Sequence, residues 1–105
     1  MAVNMISNIS IETQANVYFE GKCISYNVTL SDGKKISVGV ILPAELTFGT
    51  KSPEIMQCTN GSCEYKLAGS SEWLYCNKGE QFTIERNSSF DIRVKEQFHY
   101  ICQYG

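Results

Sequence analysis

Histidine occurs once in this 105-residue chain, at His99, and that scarcity removes several kinds of chemistry at the outset. A catalytic metal held by several imidazoles cannot be built from one of them, so no metal ligand set is expected. A Ser-His-Asp or Cys-His group would have to use His99, in the final strand-like segment, where a half-buried structural histidine is the commoner outcome. Basic residues are also sparse: nine Lys and Arg against eleven Asp and Glu, with Lys34-Lys35 the only adjacent pair. A net charge of -2 and a pI near 5.3 leave no clustered cation surface for nucleic acid. The eight glycines are dispersed at turns rather than gathered in front of a helix, so no phosphate-cradling loop is present. No apolar run is long enough to span a bilayer, and no membrane partner is expected. Residues 1–16 have neither the cationic start nor the apolar stretch of a secretory signal, which makes the cytoplasm the expected location.

What is present is an ordinary globular composition, with 43% apolar and 19% charged residues, in a length that supports one domain and one modest core. Five cysteines, Cys23, Cys58, Cys63, Cys76 and Cys102, form an odd set without an export signal, the pattern of reduced and mostly buried thiols. Asn60-Gly61 reads as a hairpin turn, which would set Cys58 and Cys63 opposite each other, packed and reduced.

Along the chain, short β-patterned segments alternate with turn signals about every ten residues, and no window of useful length has helical periodicity with caps. Residues 26–30 and 35–42 flank Ser31-Asp32-Gly33-Lys34, where Asp-Gly signals a hairpin. Ile36, Val38, Val40 and Leu42 share one face by period two, and burial is expected there. Residues 45–50, 54–58, 63–67, 73–75 and 81–84 read as further strands. Phe90, Ile92 and Val94 alternate with the more exposed Asp91, Arg93 and Lys95. Phe98, Tyr100, Cys102 and Tyr104 share a face of the last strand. This pattern predicts an all-β, single-domain jelly-roll barrel over residues 17–105, a closed or double-sheet solution that hides strand edges. Residues 1–16, with Ile6, Ile9 and Ile11, read as a tail or an extra edge strand.

The chemistry left to such a chain rests on carboxylates and hydroxyls. In SVGVILPAELTFGTKSPEIM (residues 37–56), Glu45 and Glu54 stand among apolar neighbours with Thr47 and Thr50 between them. Both acids read either as solvated loop residues or as acceptors for the vicinal hydroxyls of a sugar, a task suited to a carboxylate. Phe48, Trp73, Phe82, Phe90 and Tyr100 could stack on a ring, and they are equally what fills a small barrel.

Several short motifs then occur in order. They are Ser37-Val38-Gly39-Val40, Glu45, Thr47-Phe48-Gly49-Thr50, Pro53-Glu54-Ile55-Met56, Gly61, Trp73, Gly79, Phe82, Asn87-Ser88-Ser89-Phe90 and Tyr100-Ile101-Cys102-Gln103-Tyr104. Together they resemble the small bacterial pyrimidine/purine nucleoside phosphorylases, single-domain cupin-like proteins, from about Tyr18 to the C-terminus. The chain departs from the family pattern at Leu46, where an aromatic is frequent, and at Glu85-Arg86, where a proline is usual. The resemblance implies a cupin-like barrel and the phosphorolysis of nucleosides, with broad base tolerance, to a free base and ribose 1-phosphate. Nucleosides and inorganic phosphate are the implied partners, with no other cofactor. On the matched motifs, Glu45 or Glu54 is expected to bind ribose hydroxyls, with Thr47, Thr50 and Ser88 toward phosphate; those motifs contain no Lys or Arg, and Lys51, Arg86 or Arg93 outside them would add charge. Phe48, Met56 and Phe90 complete the expected substrate pocket. A homodimer is expected on the same resemblance and because a small β-protein with edges has reason to pair with itself. Two other readings stand beside this one: a non-catalytic small-molecule-binding cupin, and a redox-responsive protein using Cys58 and Cys63.

Overall fold

A computed structural model of the chain describes residues 5–105. Ten strands are formed: β1 (Ser10–Ile11), β2 (Asn16–Tyr18), β3 (Cys23–Thr29), β4 (Lys35–Ile41), β5 (Ala44–Gly49), β6 (Glu54–Leu67), β7 (Leu74–Asn77), β8 (Gln81–Ile84), β9 (Ser89–Val94) and β10 (Phe98–Tyr104). The one helical element among the described residues is a 3-10 turn at Phe19–Gly21. All pairings are antiparallel, in the order β1-β3-β4-β10-β6-β9-β5, with β2 also on β3 and β7 and β8 also on β6. The result is a curled, cupin-like half-barrel sheet, unpaired between its end strands β1 and β5, that wraps around one core. No helix among the described residues is long and apolar enough to cross a membrane. Of the N-terminal segment, residues 1–4 lie outside the described residues, and β1 sits beside Val28 and Thr29 at the edge of β3.

The β3–β4 hairpin forms at the Asp-Gly signal. Gly33 takes φ +90°, and Leu30 N–H donates to the Lys34 carbonyl at 2.8 Å. The second hairpin signal does not act as one. Asn60 and Gly61 lie inside β6, a single strand of fourteen residues that runs through both halves of the sheet. β10 pairs with its first half and β9 with its second, and β8 and β7 divide it in the same way. The register passes from Tyr100 opposite Cys58 to His99 opposite Asn60, which leaves Thr59 as a β-bulge. Gly61 supplies the positive φ (+78°) that the bend needs, so here the glycine serves a bulge rather than a turn. Cys63 consequently lies opposite Cys76 and not Cys58. All five thiols are free and buried.

The face assignment of β4 is also inverted. Ser37, Gly39 and Ile41 point to the concave side, while Val38 is 38% exposed and Val40 half-buried on the convex side; Ile36 is buried beside its partner Val28. The reason lies at Gly39, where a Cβ would meet the Ile24 carbonyl oxygen at 2.6 Å and Tyr100 Oη at 2.8 Å. Tyr100 crosses the strand there, so the inside of β4 is small at Ser37 and Gly39, with Ile41 beyond the crossing in the core, and Val38 and Val40 are turned outward. His99 follows the convex side of β10 and is exposed rather than half-buried.

The core is built where alternation was read correctly. Phe90, Ile92 and Val94 of β9 are buried, as are Phe98, Tyr100 and Cys102 of β10 and Phe82 and Ile84 of β8. Phe48 stacks on Phe90 at 5.5 Å between ring centroids and Tyr65 on Phe82 at 3.9 Å.

Candidate functional site

The curl of the sheet leaves a cavity of about 270 Å³ on the concave side. Cross-strand register builds one wall. β6 presents Glu54 and Met56, β10 presents Tyr104, Cys102 and Tyr100, and β4 presents Ser37, with Glu54 directly opposite Tyr104 and Cys102 directly opposite both Met56 and Ser37. The hydroxyls of Ser37 and Tyr104 are 2.9 Å apart, and the Cys102 thiol donates to Glu54 Oε1 at 3.5 Å. Deeper in, Tyr100 Oη lies 3.4 Å from Cys23 Sγ. The facing wall is aromatic: Phe48 from β5 and Phe90 from β9, with Tyr18 at the rim.

That rim has an unusual backbone. Phe19, Glu20 and Gly21 take φ of +52°, +55° and +93° in succession, a left-handed run that two of its residues adopt against their own preference. The turn lays the Phe19 ring edge-on against Phe48, with centroids 5.2 Å apart.

Electrostatically the cavity is a set of neutral donors around one acid. Burial, with the nearby Glu54 charge second, pushes the Cys102 thiol up to about 12, and burial pushes the Tyr104 phenol up to about 12. Tyr100 is driven further above its usual range by burial and by Cys23. These groups keep their protons at neutral pH. Glu54 is raised by desolvation, against which the Cys102 hydrogen bond works in the opposite direction. No Lys or Arg is among the lining residues.

The upward shift of Glu54 has a sign that can be tested. The folded chain holds this proton more tightly than the unfolded chain does. The resulting stabilisation is therefore present in full below the unfolded carboxylate pKa and is lost as pH rises through the folded one. Glu54→Gln, which stays neutral, should match the wild type in melting temperature below about pH 4 and equal or exceed it at pH 7. Paired thermal melts at the two pH values check this, and a variant less stable at pH 7 than at pH 4, relative to wild type, contradicts it.

The other sequence-expected residues divide clearly. Phe48, Met56 and Phe90 line the cavity with Glu54. Glu45 and Thr47 share a face, as period two requires, but it is the exposed convex one. Glu45 stands opposite Arg93, and Thr47 donates to Asp91 Oδ1 at 2.7 Å. Thr50 is buried as a loop fastener: its hydroxyl donates to the Glu85 carbonyl at 2.6 Å and accepts from Ser88 N–H at 3.0 Å. Ser88 and Arg86 border a separate, more open depression with Pro53 and Leu67. Arg93 is on the convex side, 3.0 Å from Glu64 and 3.9 Å over the Trp73 ring, so neither it nor that tryptophan reaches the cavity. Lys51 is exposed in the loop between Gly49 and Glu54 and is not among the cavity-lining residues. Sequence reasoning missed Ser37, Tyr104, Cys102 and Tyr18 as site residues. The available signal was the shared face of Tyr100, Cys102 and Tyr104, which carries polar groups unsuited to a purely structural core.

Comparison with known proteins agrees with the architecture. The sequence profile of the family described as Pyrimidine/purine nucleoside phosphorylase matches residues 13–104. A relative of that name from Polaromonas naphthalenivorans (strain CJ2) is 60% identical over 108 residues, covering 100% of both chains. A crystal structure of a protein of unknown function from Acinetobacter sp. ADP1 superposes with a TM-score of 0.94 at 38% identity, over 96% of this chain and 98% of that one. Ectoine synthase from P. lautus, at 19% identity and a TM-score of 0.66 over 77% of this chain and 62% of its own, is a likeness of fold alone. The chain, matched from near its start to its penultimate residue, belongs to the pyrimidine/purine nucleoside phosphorylase family.

Proposed function

We propose that this protein is a nucleoside phosphorylase, a pentosyltransferase that converts purine and pyrimidine nucleosides and inorganic phosphate to free base and ribose 1-phosphate. The observation that carries the reading is the two-sided cavity, with Glu54, Tyr104 and Ser37 on one wall and Phe48 and Phe90 on the other. A nucleoside has the same two sides. Glu54 accepts from ribose hydroxyls, the aromatic wall takes the base, and a phosphate oxygen attacks the anomeric carbon. The N-glycosidic bond breaks with its electron pair going to the base nitrogen, which takes up a proton, and a protonated phenol or thiol of the cavity can offer a hydrogen bond to the departing base. Stacking accepts any base face, which supports broad specificity. Nothing beyond phosphate is needed as cofactor, and a nucleoside-salvaging step of this kind belongs in the cytoplasm. The assay is base release from uridine and adenosine with and without phosphate; release that requires phosphate supports the reading.

One observation favours a different reading, a non-catalytic small-molecule-binding cupin: no cation lines the cavity, although a phosphate site usually has one. That reading expects thermal protection by nucleoside, unaffected by phosphate, and no base release.

The homodimer belongs to the same proposal, and the convex face of β3, β4 and β10 is the surface for it. Tyr26 lies opposite Val38, and Val38 opposite Ile101; Val17, opposite Ile24, is 61% exposed. A continuous apolar sheet face of this kind is characteristic of an interaction surface. Wild type is expected to sediment at twice the chain mass of 11.8 kDa, and Val38→Asp at the monomer mass with its fold intact by circular dichroism. A monomeric wild type at micromolar concentration defeats the proposal.

A further inference from the structure

Given the phosphorylase reading, on which this inference rests, the missing cation has to be found. Three strands carry a Lys or Arg among the described residues: Lys35 on β4, Lys66 on β6 and Arg93 on β9. Lys66 and Arg93 are on the convex side, both held over the Trp73 ring and paired with Asp91 and Glu64. Lys35 is two residues before Ser37, whose hydroxyl is in the cavity, so the pleat puts both side chains on the concave face. It is exposed and has no ion pair among the described residues.

We propose that Lys35 is the phosphate-binding cation of this site, acting with the hydroxyls of Ser37 and Tyr104. The register supports the assignment. β10 lies between β6 and β4, with Tyr104 opposite Glu54, and Cys102 and Gln103 opposite Ser37 and Ile36; continuing that pairing by one residue brings Lys35 beside Tyr104. Glu54, Tyr104 and Lys35 thus form one row across three strands. Adjacent strands are about 4.8 Å apart, so the acid and the cation are separated by about 10 Å at the backbone, with a phenol between them. Ribose fits against the carboxylate and phosphate against the ammonium, and the two negative charges are kept apart. The phenol and the serine hydroxyl, already 2.9 Å from each other, face the phosphate oxygens as donors. The flexible four-carbon stem of Lys35 lets its charge follow the phosphate while staying in solvent when the site is empty.

The test is steady-state phosphorolysis of uridine at varied phosphate by wild type, Lys35→Gln, Lys35→Arg and, as a control, Lys51→Gln, together with calorimetric titration of inorganic phosphate into each protein. Lys35→Gln is expected to raise the KM for phosphate by about ten- to a hundredfold, the range for losing one charge-assisted hydrogen bond. The KM for uridine at saturating phosphate should move by no more than about twofold, Lys35→Arg should recover most of the loss, and Lys51→Gln should resemble wild type. A phosphate KM unchanged in Lys35→Gln, or raised equally in Lys51→Gln, overturns the proposal. If wild type releases no base at all, the phosphorylase reading falls, and the calorimetry still decides Lys35: equal phosphate affinity in wild type and Lys35→Gln, or none in wild type, overturns it.

Discussion

Glu54→Gln should leave a folded protein whose kcat/KM for uridine and adenosine is lower by about 30- to 1,000-fold, corresponding to a loss of about 2–4 kcal/mol of transition-state stabilisation. The amide has the shape of the carboxylate and can still receive the Cys102 thiol proton at 3.5 Å, so the cavity wall is not rebuilt. What is lost is the negative charge beside a sugar that becomes cationic as the glycosidic bond breaks. The deficit should therefore fall mainly on kcat, because the ground-state ribose hydroxyls still find an acceptor. Glu45→Gln is the matched control. Its side chain is exposed on the convex face opposite Arg93, and less than about a twofold change is expected, in line with surface substitutions elsewhere. Full activity in Glu54→Gln would remove this carboxylate from the mechanism and with it the division of the cavity into a sugar wall and a base wall.

The largest effect on stability is expected at Gly61. A Cβ there would stand 2.0 Å from the Gln97 carbonyl oxygen, which is backbone and cannot rotate away, and the residue sits at φ +78°. Gly61→Ala thus combines a steric clash with a left-handed conformation that alanine resists, together about 3 kcal/mol or more. For a domain of this size that is a fall in melting temperature of about 12 °C or more. Gly33→Ala is the informative comparison, since its φ is +90° and no atom lies within 4 Å of the added Cβ. It should show the conformational cost alone, about 1–2 kcal/mol. Equal melting temperatures for the two variants would mean that the β6 bulge relaxes freely and that Gly61 matters only for its dihedral angle.

Where local pattern alone determines an outcome, the sequence was a good guide to this fold. Gln81–Ile84 is a strand with the bounds its pattern gave, the Asp-Gly hairpin forms at Gly33, and Phe90, Ile92 and Val94 are all buried. Alternation, however, states which residues share a face and not which face is inside. On β4, Val38 and Val40 lost the interior because Tyr100, 61 residues after Gly39, needs the space that the glycine leaves. Asn60-Gly61 misled for a related reason. The same positive φ serves a tight turn or a bulge, and only the pairing of β9 and β10 along a continuous β6 selects the bulge. The cavity was legible in part. Glu54, Phe48, Met56 and Phe90 were expected there; Ser37 and Tyr104 belong to the same family pattern, but they meet across 67 residues through a pairing that no local signal encodes.

That long reach of β6 also governs the order in which the molecule can come into being. Its two ends bind partners that lie downstream, and the last of them, β10, also supplies the neighbour of β4. A chain emerging from the ribosome can close its β3–β4 hairpin early, but β4 and β6 have nothing to bridge them until residues 98–104 have been made. Glu54 and Ser37 then acquire their common neighbour, Tyr104, in a single late event. Non-local sheets of this type fold slowly, on the scale of milliseconds to seconds. The strands that carry Phe48, Phe90 and Glu54 can pair with one another before that late event, but the wall that joins Glu54 to Ser37 forms only once β10 has been made.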